Sequence, residues 1–249
     1  MHGRNDTVKY CLDKMPFIDV VMIYSTDSDG AFLDRQNVFA TGQFKNNPLS
    51  FKWNAGVMSL EQIDFDAVIL LGSDDYIDEA FVEFVRSKID DYEMISFKDL
   101  YFEEDGLTYY WSGYEGSRKG EPAGAGKVYT KKFLERIKYN LFNEARDRGL
   151  DNVSWNRCKN ANVKVLNTTL KENNIFLADV KDGEGMTKLS SIKNLDLLKL
   201  RLSLQHGKTN TLEKTNEPNL FGSVRLHSRR EASINYQESN SRQSKRSRR

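Results

Sequence analysis

The sequence is poor in the residues that build disulfide frameworks and zinc sites. Only Cys11 and Cys158 occur, and the three histidines, His2, His206 and His227, show no ligand spacing. The cysteines are too few for a disulfide framework or a four-ligand zinc site. Reduced cysteines of this kind indicate an intracellular protein.

Long apolar runs are missing as well. No stretch of the 249 residues reaches the length of a transmembrane helix, and the opening residues lack the pattern of a signal peptide. We therefore expect a cytoplasmic protein without a transmembrane segment.

The chain also lacks a strong net charge of either sign, since its formal total is +1 at pH 7. Residues 221–249 hold eight Lys and Arg against two Glu, a net charge of +6, which leaves −5 for residues 1–220. An acidic body has no broad basic surface with which to follow a phosphate backbone. Attraction to nucleic acid is therefore expected only in the tail. From Gln205 onward the polar composition predicts disorder.

Two short apolar runs predict strands that are covered on both faces. They span residues 18–25 and 66–73, IDVVMIYS and DAVILLGS, and such continuous β-branched runs are typical of parallel sheets. Helical patterns precede and follow the second run, in FKWNAGVMSLEQI and in DEAFVEFVRSKID, where Asp78 is placed as an N-cap. This order predicts an α/β fold with a Rossmann-like, mostly parallel sheet flanked by helices.

After residue 92 the pattern changes. The segments YEMISFKDLYF and LTYYWSGY flank the turn sequence EEDG, which predicts an antiparallel hairpin added to the sheet. A Gly-rich loop, GSRKGEPAGAGKVYT, then leads into an amphipathic pattern. That pattern predicts one long helix from Thr130, its N-cap, to Gly149, its C-terminal stop.

Two adjacent aspartates, Asp74 and Asp75, stand at the carboxyl end of the most apolar predicted strand. Ligands of open α/β sheets bind at this end, and neighbouring carboxylates repel each other unless a cation or a proton intervenes. A hard divalent metal that also contacts phosphate oxygens accounts for the pair. The alternative is that one of the aspartates caps the following helix, a role for which Asp78 is already well placed.

Taken together, these segments resemble nucleotide-sugar glycosyltransferases of the A-type fold, closest to the large family 2 of inverting enzymes. The resemblance rests on KNNPLSFKWNAGV, DFDAVILLGSDDYI, the hairpin, the Gly-rich loop and RGLDNVSW, and it covers residues 1–190. It implies that Asp74 and Asp75 hold Mn2+ or Mg2+ against the diphosphate of the donor. Where many members have a further aspartate, this chain has Gly72.

The resemblance implies roles for other residues too. Lys52 and Asn54 match a segment that packs close to the nucleotide, and Arg4 stands at the family's nucleotide-contacting turn. The catalytic base, an acidic residue at the start of a helix beyond the hairpin, falls on Asp151. The alternative for Asp151 is a helix cap, with Asp147 as the fallback base.

The sugar side of the donor pocket has weaker candidates. Gly124 and Gly126 lie in the loop ahead of a helix, where backbone N–H groups can approach a donor sugar closely. Trp111 and Tyr114 offer aromatic faces on which a sugar can stack. The alternative is that these two rings simply cover the hairpin.

One element of the family is not found in the printed chain. Family members open with a strand that binds the nucleotide base, whereas this chain opens with MHGRNDTVKYCLDKM, which resembles the turn and helix that follow that strand. Either Met1 is an internal start or the chain lacks a central strand, and the first option is favoured because a lost central strand exposes unpaired edges. We expect residues 1–200 to form a glycosyltransferase-like domain, incomplete at its N terminus, and residues 201–249 to form a disordered basic tail.

The sequence leaves two classes of function open. The first is a metal-dependent glycosyltransferase that moves a sugar from a nucleotide-sugar donor to a glycan or another hydroxyl acceptor, such as a modified base in DNA. A sugar-phosphate nucleotidyltransferase is a related enzyme, but its Gly-rich loop after the first strand is not visible. The second class is a non-catalytic, truncated glycosyltransferase-like module whose basic tail binds nucleic acid or a partner. The acidic pair favours the first class and the missing strand favours the second.

Overall fold

Helices and strands are interspersed along the chain and confirm the predicted α/β class. The computed structural model describes residues 4–25, 35–45, 47–183 and 188–198. The helices are α1 (Asn5–Lys14), α2 (Leu49–Ser59), α3 (Glu79–Arg86), α4 (Lys131–Arg136), α5 (Leu150–Asn160) and α6 (Leu170–Asn173). The strands are β1 (Val20–Tyr24), β2 (Val38–Gln43), β3 (Ala67–Leu70), β4 (Asp75–Ile77), β5 (Met94–Phe97), β6 (Leu100–Glu104), β7 (Leu107–Trp111), β8 (Lys127–Thr130), β9 (Val165–Thr168), β10 (Leu177–Val180) and β11 (Leu195–Leu198).

The predicted basic tail, residues 201–249, lies outside the described residues, so its disorder stays a prediction. Among the described helices, none has the length and apolar content that crossing a bilayer requires.

The described strands form three sheets. β1 and β2 make a two-stranded sheet, β3-β8-β5-β9 is the order of a four-stranded sheet, and β11-β7-β6-β10-β4 is the order of a five-stranded sheet. Within the described residues, five of the eight strand pairings are antiparallel and three are parallel. The sheets are therefore more antiparallel than the sequence led us to expect.

The difference arises because a continuous apolar run reports burial and not strand direction. Every residue of β5 and of β8 is buried, although these two neighbouring strands run antiparallel. β8 also inserts antiparallel beside β3. A strand can be buried on both faces whichever way its partners run, so the pattern typical of parallel sheets appears here in a mixed sheet.

Local signals predicted several elements correctly. Asp78 caps α3, since its carboxylate accepts the Phe81 N–H at 2.8 Å. The predicted hairpin is formed by β6 and β7, and its turn residues Asp105 and Gly106 have φ angles of 52° and 76°. Positive φ at both central positions matches the twist of the two strands.

The prediction of one long helix from Thr130 to Gly149 was wrong. Thr130 does cap α4, but α4 ends at Arg136, and Lys138 and Tyr139 adopt positive φ angles of 55° and 54°. Contacts with α2 hold the chain beyond α4 in a non-helical path: the Asn54 side chain bonds both the Asn140 side chain at 2.8 Å and the Phe142 N–H at 3.0 Å. Tertiary packing therefore overrides the amphipathic spacing, and Gly149 precedes α5 instead of ending a helix.

Buried residues fix the register of the strands that carry the acidic residues. Ile77 of β4 pairs with Leu177 of β10, and both are 1% exposed. Beneath them, the Phe81 and Phe97 rings pack with their centroids 5.0 Å apart. Burying a side chain of this size contributes about 1.5–3 kcal/mol, so sliding β10 along β4 is costly.

Gly126 is required by the backbone and by its close neighbours. Its φ angle is 71°, and a Cβ there would overlap the Leu177 side chain. Gly126→Ala is expected to lower the free energy of unfolding by about 2–4 kcal/mol, through left-handed strain and overpacking. Gly106→Ala is the matched control, since Gly106 has a φ angle of 76° with nothing within 4 Å of its added Cβ. Urea denaturation that gives equal losses for the two variants would contradict this account.

Candidate active site

Three aspartates meet where β4 and β10 run side by side. Asp75 lies directly opposite Asp179 in this antiparallel pair, so their side chains share one face of the sheet. Asp74 immediately precedes β4. One carboxylate oxygen from each of the three residues lies within 4.8 Å of the other two.

Burial and repulsion by neighbouring carboxylates disfavour ionisation of Asp75 and Asp179. Asp75 is 5% exposed, and burial, followed by the charges of Asp179 and Asp74, raises its pKa well above the usual range. Burial and the Asp74 charge raise the pKa of Asp179 to about 6. The buried Asp179 Oδ1 atom has no hydrogen-bond partner among the described residues. A buried carboxylate oxygen without a hydrogen-bond partner can take up a proton or bind a cation.

Two basic side chains partly balance the cluster. The Arg4 guanidinium donates to Asp74 at 2.7 Å and to Asp182 at 2.8 and 3.0 Å, so it bridges the two carboxylates. Lys181 donates to Asp179 Oδ2 at 2.7 Å. The hydrogen bond from Lys181 holds Asp179 Oδ2 and leaves Oδ1 without a partner among the described residues. Outer partners of this kind orient metal ligands.

Gly72 leaves the space in which these carboxylates lie. Its N–H donates to Asp75 Oδ2 at 2.5 Å, and a Cβ at this position would come within 2.7 Å of Asp74 Oδ1 and 2.9 Å of Asp75 Oδ2. Any side chain at residue 72 would force these two carboxylates to shift. The third carboxylate of the cluster belongs to Asp179 on the neighbouring strand.

Neither Asp74 nor Asp75 caps one of the described helices, so the capping alternative is wrong for both. Asp78 caps α3, whereas Asp75 binds the Gly72 N–H and Asp74 binds Arg4. Three clustered carboxylates, one with an unpaired buried oxygen, fit a hard divalent cation that prefers oxygen ligands.

Asp151 lies in the first turn of α5 and is not its cap. The capping position is Gly149, with a φ angle of 71°, and α5 has no side-chain cap. The Asp151 carboxylate is 22% exposed and accepts from Arg118 at 3.1 Å. The fallback residue Asp147 accepts the Leu49 N–H at 2.8 Å at the start of α2.

The Gly-rich loop connects Asp151 with the end of β3, the strand that precedes the acidic pair in the chain. Leu70, the last residue of β3, pairs with Lys127, and the Gly126 N–H donates to the Leu70 carbonyl at 3.0 Å. A Cβ on Gly124 would lie 3.7 Å from the Asp151 Cβ. The loop is thus held at the end of β3 that leads to Asp74. The Gly126 N–H is already used in this hydrogen bond to β3. Donor binding by Gly126 and by Gly124 stays a prediction.

Two further donor-binding candidates lie on α2. Lys52 is 5% exposed and its ammonium donates to Ser25 at 2.6 Å, just beyond the carboxyl end of β1. Asn54 bonds Asn140 and Phe142. Asn54 therefore has a structural task, and the roles of both residues toward a nucleotide stay predictions.

Of the two aromatic candidates, Trp111 is buried and Tyr114 is half-buried. Trp111 is 8% exposed and packs edge-on against Tyr114, with ring centroids 4.7 Å apart. The Arg118 guanidinium lies 3.6 Å from the centre of the Tyr114 ring. Sugar stacking by these rings stays a prediction, and Trp111 mainly covers the hairpin.

Sequence reasoning missed Asp179, Lys181 and Arg118. The first two lie in the short segment IFLADVKD, whose alternation of apolar and charged residues is the signal of a half-buried strand. Arg118 lies in the Gly-rich loop, where only the three-dimensional structure brings it to Asp151.

Comparison with known proteins shows a distant structural likeness. No protein-family model matches the sequence, and no curated protein matches it. The crystal structure of S. aureus TarS 1-349 matches with a TM-score of 0.45 and 15% sequence identity, over 70% of this chain and 60% of that chain. This chain therefore spans less than two thirds of the TarS chain, and similarity at this level carries no information on activity.

The acidic cluster predicts how stability depends on pH in the absence of metal. Burial and the Asp74 charge raise the pKa of Asp179 to about 6 in the folded protein, whereas its pKa in the unfolded chain is about 4. The folded state therefore binds more protons between these values, and the free energy of unfolding falls as the pH rises through this window, on the order of 2–3 kcal/mol. Urea denaturation from pH 4 to 7 measures this loss, and Asp179→Asn should reduce it. An unchanged slope in the variant would contradict the assignment.

Proposed function

We propose that this protein is a metal-dependent glycosyltransferase that moves a sugar from a nucleotide-sugar donor to a hydroxyl acceptor, with inversion. The observation that carries the proposal is the cluster of Asp74, Asp75 and Asp179, whose oxygens lie within 4.8 Å of one another at a strand end. Such a cluster repels itself without a cation, and its oxygen ligands suit Mn2+ or Mg2+.

In this proposal the three aspartates hold the cation, and Asp179 supplies the third carboxylate, which Gly72 cannot provide. When bound, the cation neutralises the negative charge that develops on the departing nucleoside diphosphate. Arg4 contacts the same diphosphate, since its guanidinium lies 2.7 Å from Asp74.

The remaining donor contacts follow from the family resemblance. Lys52 and Asn54 line the nucleotide side of the donor pocket, and Gly124 and Gly126 line its sugar side. Tyr114 is the better placed of the two aromatic residues for stacking, because Trp111 is buried.

Asp151 acts as the base in this proposal. It takes the proton of the acceptor hydroxyl as that oxygen attacks the anomeric carbon opposite the diphosphate, which inverts the configuration. Arg118 binds Oδ2 of the carboxylate, so Oδ1 receives the proton. The acceptor class is a glycan or another hydroxyl compound, including a modified base in DNA.

A screen of nucleotide sugars tests the proposal. The protein is incubated with UDP-, GDP-, CDP- and dTDP-linked sugars in Mn2+, Mg2+ or EDTA, and release of free nucleotide is followed. We expect slow hydrolysis of one donor in the presence of metal and none in EDTA. If no donor is bound or hydrolysed in a metal-dependent way, the proposed function is wrong.

A further inference from the structure

A buried lysine contacts the helix turn that carries Asp151. Lys127 is 2% exposed, and its ammonium donates to the Asp151 carbonyl oxygen at 2.6 Å and to Ser154 Oγ at 3.2 Å. Among the described residues no carboxylate forms an ion pair with it. Buried charges are normally paired with an opposite charge. The contacts of Lys127 are instead two neutral oxygens of the first turn of α5.

Stability does not explain a lysine at this position. Burial lowers the pKa of Lys127 to about 8, so the fold disfavours the charged form. The positive end of the α5 dipole adds to this cost. Ser154 Oγ also donates to the Asp151 carbonyl at 3.1 Å, so that oxygen keeps a donor without the lysine. An apolar side chain of similar length would fill the same space without burying a charge.

The position of Lys127 links the two halves of the candidate site. Through its pairing with Leu70, Lys127 is fixed to β3, the strand that leads to Asp74 and Asp75. Through its ammonium it is fixed to the turn of α5 that presents Asp151.

We propose that Lys127 is a positioning residue, whose ammonium holds the first turn of α5 at a fixed place beside the end of β3 and so sets the position of the Asp151 carboxylate toward the donor. This inference rests on the proposed glycosyl transfer, in which Asp151 takes the acceptor proton. A displacement of about 1 Å at a reacting group can cost ~100-fold in rate.

Lys127→Met tests the inference, with Lys131→Met as the matched control, because Lys131 opens the next helix and pairs with the exposed Asp64. We expect kcat to fall by about 10–100-fold in Lys127→Met. The KM for the donor should stay unchanged, and the melting temperature should not fall. Lys131→Met should keep the wild-type kcat. A Lys127→Met protein that unfolds or melts early would show a structural role and overturn the inference.

Combining this change with Asp151→Asn separates the two proposals. If Lys127 acts through Asp151, Lys127→Met should cost nothing further in the Asp151→Asn background. An equal loss in both backgrounds overturns the positioning role, whereas full turnover of Asp151→Asn alone overturns the assignment of the base.

Hydrogen exchange supplies a readout that needs no substrate. The amides of residues 150–154 should exchange faster in Lys127→Met and at the wild-type rate in Lys131→Met. Unchanged exchange in Lys127→Met overturns the inference even if no donor has been found.

Discussion

Asp75→Asn should stabilise the metal-free protein and at the same time weaken Mn2+ binding by more than about 100-fold, since the loss of an outer partner alone costs ~10–100-fold. The asparagine oxygen can still accept the Gly72 N–H, so the local hydrogen bond is kept. Burial and the neighbouring carboxylates raise the pKa of Asp75, so its negative charge opposes folding when no cation is present. Removing that charge is expected to raise the melting temperature by about 3 °C or more, the shift that ~1 kcal/mol produces in a domain of this size.

Asp78→Asn is the matched control for this variant. Asp78 lies three positions further along the chain, where asparagine is an equally good N-cap for α3. The Mn2+ affinity of the Asp78→Asn variant should equal that of the wild type. If Asp75→Asn binds Mn2+ as tightly as Asp78→Asn does, Asp75 is not a metal ligand.

Asp151→Asn should lower kcat by about 10²–10⁴-fold, the contribution that general base catalysis typically makes. The amide cannot take the acceptor proton at neutral pH, but it retains the size of the carboxylate and its oxygen can still accept from Arg118. Donor binding should therefore be unchanged, since Asp151 contacts the acceptor and not the diphosphate in this account. Single-turnover kinetics together with donor titration separates the two effects.

Asp147→Asn serves as the control for the base, because Asp147 is the next acidic residue toward the N terminus and its carboxylate accepts the Leu49 N–H. We expect a turnover within about twofold of the wild type, as for most changes away from reacting groups. If Asp147→Asn loses turnover and Asp151→Asn keeps it, the base is Asp147.

Features determined by neighbouring residues could be predicted from the sequence. An Asp placed just before an amphipathic run gave the cap of α3, and Asp105-Gly106 between aromatic segments gave the hairpin turn. The strand β3 ahead of the acidic pair was predictable in the same way, whereas β4, which Asp75 opens, was not predicted. In each case the chemistry that decides the structure lies within a few residues.

Features that depend on pairing between distant segments could not be predicted. Asp179 enters the cluster only because β10 pairs with β4 in one register, which the local composition of neither strand determines. The helix predicted from Thr130 to Gly149 fails for a related reason, since Asn54, far away in the chain, holds the segment after α4 out of helical geometry.

The central claim is that Asp74, Asp75 and Asp179 hold a divalent cation that binds the diphosphate of the donor. Isothermal titration of the full chain with UDP, GDP, CDP and dTDP, each in Mn2+ and in EDTA, tests it most directly. Because coupling between two ligands is reciprocal, we expect one nucleotide to bind at least about tenfold more tightly with Mn2+ present, and Mn2+ to bind more tightly by the same factor with that nucleotide present. Nucleotide affinities that are equal in Mn2+ and in EDTA would contradict the claim.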